Sequence, residues 1–177
     1  MRALRIGDPA LGFRLPGVDG KDYSLDDFKD KKIIIVMFSC NHCPTVKAYE
    51  DRFVELQEDY EDKGVVLITI NPNDDSKYPE DSFENMKIHA KEKSFNFPYL
   101  RDESQKVAEG YGAERTPEVF VFDEKRLLRY HGRIDDNVYE ASEVRQRYLR
   151  DALDAILDGR KAPLEDIEPV GCTVKWK

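Results

Sequence analysis

A single α/β domain, built on a mixed central β-sheet flanked by helices, is the fold class this sequence predicts, and three observations predict it. Ile33–Phe38 is β-branched and continuously apolar, and Val65–Ile70 is a second run of nearly the same kind; both read as strands covered on both faces. Between them Val46, Tyr49, Phe53, Leu56 and Tyr60 recur at three-four spacing, one face of an amphipathic helix. That order makes a right-handed crossover unit with a parallel pair. Further on, Glu118–Phe122 and Leu127–His131 flank Asp123-Glu124-Lys125-Arg126 as an antiparallel hairpin. Parallel and antiparallel pairs together call for a mixed sheet with helices on both faces.

The remaining elements follow in chain order. Phe13 to Leu25 reads as an N-terminal β-hairpin extension, turned at Val18-Asp19-Gly20-Lys21. Ser24-Leu25-Asp26-Asp27 looks like a helix start, with a side-chain cap and acids in the first turn. Gly64 is the natural stop of the long helix. Asn71 to Asp81 is a polar loop with two prolines, and Asp81-Ser82-Phe83-Glu84 opens a helix to about Lys93. A short strand at Phe97–Leu100 and a short helix over Gln105–Tyr111 come next. The last helix spans roughly Ser142 to Asp158 and stops at Gly159. The core then covers about residues 4–158, and 159–177 form a C-terminal tail. Its lone Trp176, beside Val174 and Cys172, suggests that the tail docks on the domain.

A chain of 177 residues can bury one substantial core without staples. Charged residues make up 36%, the net charge is -8, and the three cysteines are too few for a secreted disulfide framework. The acidic balance argues against nucleic acid as a partner. Met1 to Pro9 shows no apolar run before a cleavage site, and the longest apolar run is far too short to span a bilayer. No membrane association and a cytoplasmic location are the expectation. No Gly-x-Gly-x-x-Gly follows a strand, and no cofactor is expected.

Chemistry concentrates in Cys40-Asn41-His42-Cys43, where the first buried strand gives way to the long helix. A helix N-terminus presents unsatisfied N–H groups and the positive end of the macrodipole, which favour a thiolate. The thiolate is the attacking species in disulfide exchange. The spacing puts the second sulfur within reach of the first, so Cys40 reads as the nucleophile and Cys43 as the resolving thiol. A partly protonated His42 between them would favour the Cys40 thiolate. Pro44 is tolerated in the first helical turn. A zinc or copper site is the main rival. Structural zinc wants four ligands, and only His42, His89, His131 and Cys172 remain, with no second paired spacing, so no metal is expected.

Phe38-Ser39-Cys40-Asn41-His42-Cys43-Pro44 resembles the active-site turn of thioredoxin-like redoxins, the group joining thioredoxins, TlpA/ResA-type oxidoreductases and AhpC/TSA peroxiredoxins. Gly7-Asp8-Pro9-Ala10 through Gly20-Lys21 is similar to the redoxin N-terminal hairpin. Phe97 to Asp102, Tyr111-Gly112 and Thr116-Pro117 through Asp123 are similar to the second half of the same domain. The resemblance implies a thioredoxin fold and a cis Thr116-Pro117 bond beside the cysteines, with the Thr116 backbone free to pair with an extended substrate segment. It also exposes departures. Ile34 stands where thioredoxin has a buried acid, and Val46 where TlpA/ResA-type proteins have a Glu; Glu50 lies a turn further on. Relative to peroxiredoxins, Cys40 replaces the Thr of Thr-x-x-Cys, and Pro117 occupies the Arg position.

The expectation is therefore a thiol-disulfide oxidoreductase acting on a protein or small-molecule disulfide, supplied by an electron donor the sequence does not identify. A thiol peroxidase and a metal-binding or chaperone module are the alternatives. Cys172 reads as a packed small hydrophobe, with a third redox thiol or a metal ligand as its other readings.

Overall fold

The computed structural model describes residues 4–177, so the first three residues of the N-terminal segment lie outside it. β1 (Arg14–Pro16) and β2 (Asp22–Ser24) form the expected antiparallel hairpin. Ser24 and Asp27 complete a capping box, but Leu25–Phe28 closes as one 3₁₀ turn and not as an α-helix. Only four residues separate that turn from β3 (Ile33–Phe38), too few to propagate a helix.

From β3 the chain passes into α1 (Pro44–Tyr60), a 3₁₀ turn at Glu61–Lys63, and Gly64. Gly64 sits at φ 80°, the left-handed region, and reverses the chain into β4 (Val65–Asn71). β4 runs parallel to β3 from Ile33↔Val65 to Phe38↔Ile70. Then come α2 (Phe83–Glu92), β5 (Tyr99–Arg101), α3 (Lys106–Tyr111) and β6 (Arg115–Thr116). β7 (Glu118–Phe122), β8 (Leu128–Gly132), α4 (Tyr148–Leu157) and β9 (Cys172–Thr173) complete the chain. The main sheet has the order β5-β4-β3-β7-β8, with β5 parallel to β4 and β7 antiparallel to both β3 and β8. This is a thioredoxin fold with an N-terminal hairpin.

Alternation along β3 divides the core. Ile33, Ile35 and Met37 pack with Phe53, Leu56, Leu149 and Leu153 of α1 and α4. Ile34, Val36 and Phe38 pack with Phe13 and Leu15 of the hairpin segment and with Ala108 and Tyr111 of α3. Each such side chain contributes on the order of 1.5–3 kcal/mol by burial. A one-residue slip would exchange the two faces, so the register is fixed from both sides.

The last helix starts six residues later than the sequence suggests. The Arg145 N–H donates to Asp136 Oδ1, and the Asp136 N–H donates to the Gln146 carbonyl. These bonds take the backbone of 145–146 out of any helical ladder, and only a 3₁₀ turn forms at Ala141–Glu143. No helix among the described residues is long and apolar enough to cross a membrane.

Beyond α4 the chain returns along β8. The His131 N–H donates to the Glu165 carbonyl, and the Ile167 N–H donates to the His131 carbonyl. The His131 ring bridges Glu118 (2.8 Å) and Asp166 (2.9 Å). Burial alone would lower the His131 pKa; the two carboxylates outweigh it, and the net direction is up. A raised histidine pKa contributes stability that is complete below the unfolded value and is lost as pH rises through the folded one. His131→Gln is therefore expected to cost more stability at pH 6 than at pH 9. Thermal unfolding of both proteins at the two pH values checks this, and an equal cost at both would count against it.

Candidate active site

Strand β3 delivers the cysteine turn to the sheet's carboxyl edge. The Ser39 N–H still donates to the Ile70 carbonyl, extending the β3–β4 pairing one residue past the strand, and the chain then turns. Cys43 is the N-cap of α1 with extended dihedrals (φ -65°, ψ 124°), and Pro44 fills the first helical position, where no N–H is needed. Both sulfurs are buried, with Cys40 1% and Cys43 0% exposed, and all three cysteines are free thiols.

Across from them lies Thr116, joined to Pro117 by a cis peptide bond. Cys40 Sγ is 3.5 Å from Thr116 Oγ1, and Cys43 Sγ is 3.4 Å from the Thr116 carbonyl oxygen. The structure thus brings together Cys40, Cys43, Thr116 and Pro117, and it sets the fifth residue singled out from the sequence, His42, beside Cys40 with a ring nitrogen within 4.8 Å of its sulfur. Behind Pro117, Glu118 Oε1 accepts the N–H groups of Glu114 and Arg115, both at 2.9 Å. It pins the segment that carries Thr116.

The His42 ring faces Asp81. Its Nδ1 lies against Asp81 Oδ2 without the alignment of a hydrogen bond, and its ring stacks on Tyr78 at 5.5 Å and 6°. Asp81 is the residue sequence reasoning missed. It reads as the end of a polar loop and the opening of a helix, yet Ser82 is the N-cap of α2 and Asp81 is fully buried. Its carboxylate accepts the Asn41 N–H at 2.6 Å, Asn73 Nδ2 at 2.9 Å and Asn71 Nδ2 at 3.4 Å. Tyr99 donates its hydroxyl to Asn41 Oδ1 at 2.7 Å, tying the turn to β5. Asn71 and Asn73, expected in a polar loop, are both buried here.

The two thiols titrate as a pair. In the fully protonated pair Cys43 points its S–H at the Thr116 carbonyl. Once one proton leaves, the charge rests on Cys43, whose pKa is drawn down to about 4. The Cys40 thiol donates to it first of all; burial opposes, and the Cys172 thiol and the Val46 N–H in the first turn of α1 assist. Cys40 moves the other way, well above an ordinary thiol. Its bond to Cys43, its burial and the Asp81 charge all hold its proton, against a smaller opposing pull from Thr116.

The Thr116 edge, expected to be open, is occupied. β6 pairs antiparallel with β9 of the tail, Arg115 opposite Thr173 and Thr116 opposite Cys172. Of the other sequence candidates, Ile34 and Val46 are buried in apolar surroundings. Glu50 is buried against His89 Nε2. Cys40, His42 and Asp81 place one donor atom each within 4.8 Å of one another, the one grouping among the described residues that could hold a metal ion. That is one donor short of a closed tetrahedral set, and the Asp81 oxygens are already engaged by three N–H donors.

Comparison with known proteins bears on the family and the fold. The model of the AhpC/TSA family matches residues 6–131. The peroxiredoxin Bcp of Escherichia coli is 27% identical over 146 residues, 80% of this chain and 79% of that one. The thiol-disulfide oxidoreductase ResA of Geobacillus thermodenitrificans is 23% identical over 129 residues, 72% of this chain and 68% of that one. An uncharacterized conserved protein from Geobacillus kaustophilus, solved by crystallography, superposes with a TM-score of 0.93 at 42% identity, covering 99% of this chain and 94% of that one.

Proposed function

The chain belongs to the AhpC/TSA family of redoxins, and from that premise we propose that it is a thiol-disulfide oxidoreductase in which Cys40 attacks and Cys43 resolves. The observation that carries the reading is the convergence of both sulfurs on Thr116 at the N-terminus of α1.

The charge distribution supplies a proton path that Ile34 and Val46 do not. A Cys43 thiolate beside the Cys40 thiol is the base for Cys40. As Cys40 Sγ attacks a substrate disulfide, its proton passes through Cys43 to the departing substrate thiolate. A Cys40–substrate disulfide is left, and Cys43 is again a thiolate. Cys43 then attacks Cys40 Sγ, the Cys40–Cys43 bond forms, and the second substrate thiolate leaves. Two electrons pass from the dithiol to the substrate, and no proton is unaccounted for. The Asp81 charge helps keep the resting proton on Cys40.

Cys43→Ser removes the base along with the resolving thiol, so at raised pH and with an excess of a model disulfide it is expected to form a mixed disulfide through Cys40 slowly and then to keep it, detected by intact mass. No adduct, or an adduct on Cys172 alone, would sink the reading. Burial of Cys40 favours one second reading, a thiol peroxidase, because hydrogen peroxide is small enough to reach a sulfur that a bulky disulfide reaches only if the tail moves. Stoichiometric oxidation of Cys40 within seconds at micromolar peroxide supports that reading; oxidation over minutes supports disulfide exchange.

A further inference from the structure

Cys172 lies in the midst of this chemistry without a part in it. It is not an isolated thiol. Its β9 register sets it directly opposite Thr116, the residue both active-site sulfurs contact. It packs on the same apolar cluster as Cys40 and Cys43, near enough to Cys43 that each thiol shifts the other's pKa. The closeness is built into the chain. A Cβ on Gly171 would fall 2.1 Å from the Thr116 carbonyl oxygen and 2.7 Å from its carbon, so only glycine lets the tail come this near.

The tail is held in place along its length. The Val174 N–H donates to the Glu114 carbonyl at 2.9 Å, and the Lys175 N–H donates to Asn73 Oδ1 at 2.9 Å. The Lys175 carbonyl accepts from the Asp74 N–H at 2.8 Å and from Gln105 Nε2 at 2.9 Å. Asn73 also donates to Asp81, so the tail and the cysteine turn share one polar cluster.

We propose that Cys172 is a third redox thiol, which takes over the disulfide from the buried pair by attacking Cys43. This rests on the dithiol reading above. The Cys172 thiolate attacks Cys43 Sγ; the Cys43–Cys172 bond forms, the Cys40–Cys43 bond breaks, and Cys40 leaves as a thiolate that takes up the proton Cys172 gave away. The exchange is redox-neutral within the protein. An external dithiol reductant later reduces the Cys43–Cys172 bond.

Two physical features give the step a direction. Cys40 and Cys43 are almost fully buried, whereas Cys172 is partly exposed, so the relay carries the oxidised sulfur to where a reductant can meet it. The state of Cys43 also gates the attack. Burial, then the hydrogen bond to Cys43 and the Cys43 charge, hold the Cys172 proton, while the Thr45 N–H of the α1 first turn and Lys175 pull the other way. Once Cys43 is in a disulfide its charge is gone, and burial is left as the one force holding the proton against Thr45 and Lys175. Cys172 loses its proton more readily, and is the better nucleophile, when there is a disulfide to attack.

The test is a disulfide map. Trypsin places Cys40 and Cys43 together in peptide 33–47 and Cys172 in peptide 162–175. The full chain is oxidised with one equivalent of a dipyridyl disulfide, quenched in acid, alkylated and digested. The expected result is a fraction of 33–47 joined to 162–175 through Cys43, abolished in Cys172→Ser. In that variant reduction of the remaining internal disulfide by dithiothreitol should be at least several-fold slower. Cys40→Ser should give the Cys43–Cys172 bond alone. An internal disulfide in 33–47 with Cys172 fully alkylated would overturn the relay and leave the dithiol reading standing. A cross-link through Cys40 would overturn the assignment to Cys43. Failure of 33–47 to form any disulfide would overturn both.

Discussion

Asp81→Ala is expected to lower the thermal unfolding midpoint by roughly 6–20 °C, because removing one side of a buried charged network costs about 3–5 kcal/mol and each kcal/mol is about 2–4 °C in a chain of this size. The carboxylate accepts three N–H donors and lies against His42 in a fully buried position. Alanine leaves those donors without that acceptor. The more informative variant is Asp81→Asn, which keeps the volume and an acceptor oxygen but removes the charge. That charge is one of the forces holding the proton on Cys40. Removing it makes the Cys40 proton easier to lose, so the Cys40 pKa falls. A titration of thiolate absorbance near 240 nm should show the second proton of the pair leaving at lower pH than in the parent protein. The disulfide should become a stronger oxidant as well, since a reduced form with more thiolate is better stabilised. An unchanged or raised second step would mean that Asp81 acts on stability alone.

The fate of Asp81 shows where the sequence stops being readable. The apolar runs at β3 and β4, the heptad-like face of α1 and the stop at Gly64 are local patterns, and the fold follows from them. The cysteine turn is legible for the same reason: its spacing and its place between strand and helix are both local. Asp81, Asn71 and Asn73 are not, because a polar loop and a buried polar cluster have the same composition; only the fold turns one into the other. One signal was available. The Asn-rich segment directly follows a buried parallel strand, on the carboxyl edge where open α/β sheets gather their binding groups. The β6–β9 pair had no signal at all. Each strand is two residues long, too short for any periodicity, and the partners lie more than fifty residues apart. The helix expected from Ser142 failed for a related reason, since Asp136 competes for the same backbone from outside the window.

Gly171→Ala carries the second large effect, and it falls on the tail. The new methyl carbon would sit 2.1 Å from a backbone oxygen whose segment Glu118 holds through the N–H groups of residues 114 and 115. Neither partner is a flexible side-chain end, so the tail must move. With it go the β6–β9 pairs and the contact between Cys172 and Cys43. Amides of Val174 and Lys175, bonded to Glu114 and Asn73, should lose most of their protection from hydrogen exchange. Cys172, now in solvent and relieved of burial and of the neighbouring Cys43 charge, should react with iodoacetamide on the order of tenfold faster. The main sheet shares no strand with this pair, so the protection of β3, β4 and β7 should be kept. The same substitution opens the Thr116 edge. If bulky disulfides reach Cys40 only when the tail leaves, Gly171→Ala should reduce a peptide disulfide faster than the parent while forming less of the Cys43–Cys172 bond. Faster reduction together with undiminished cross-linking would mean that the tail does not guard that edge.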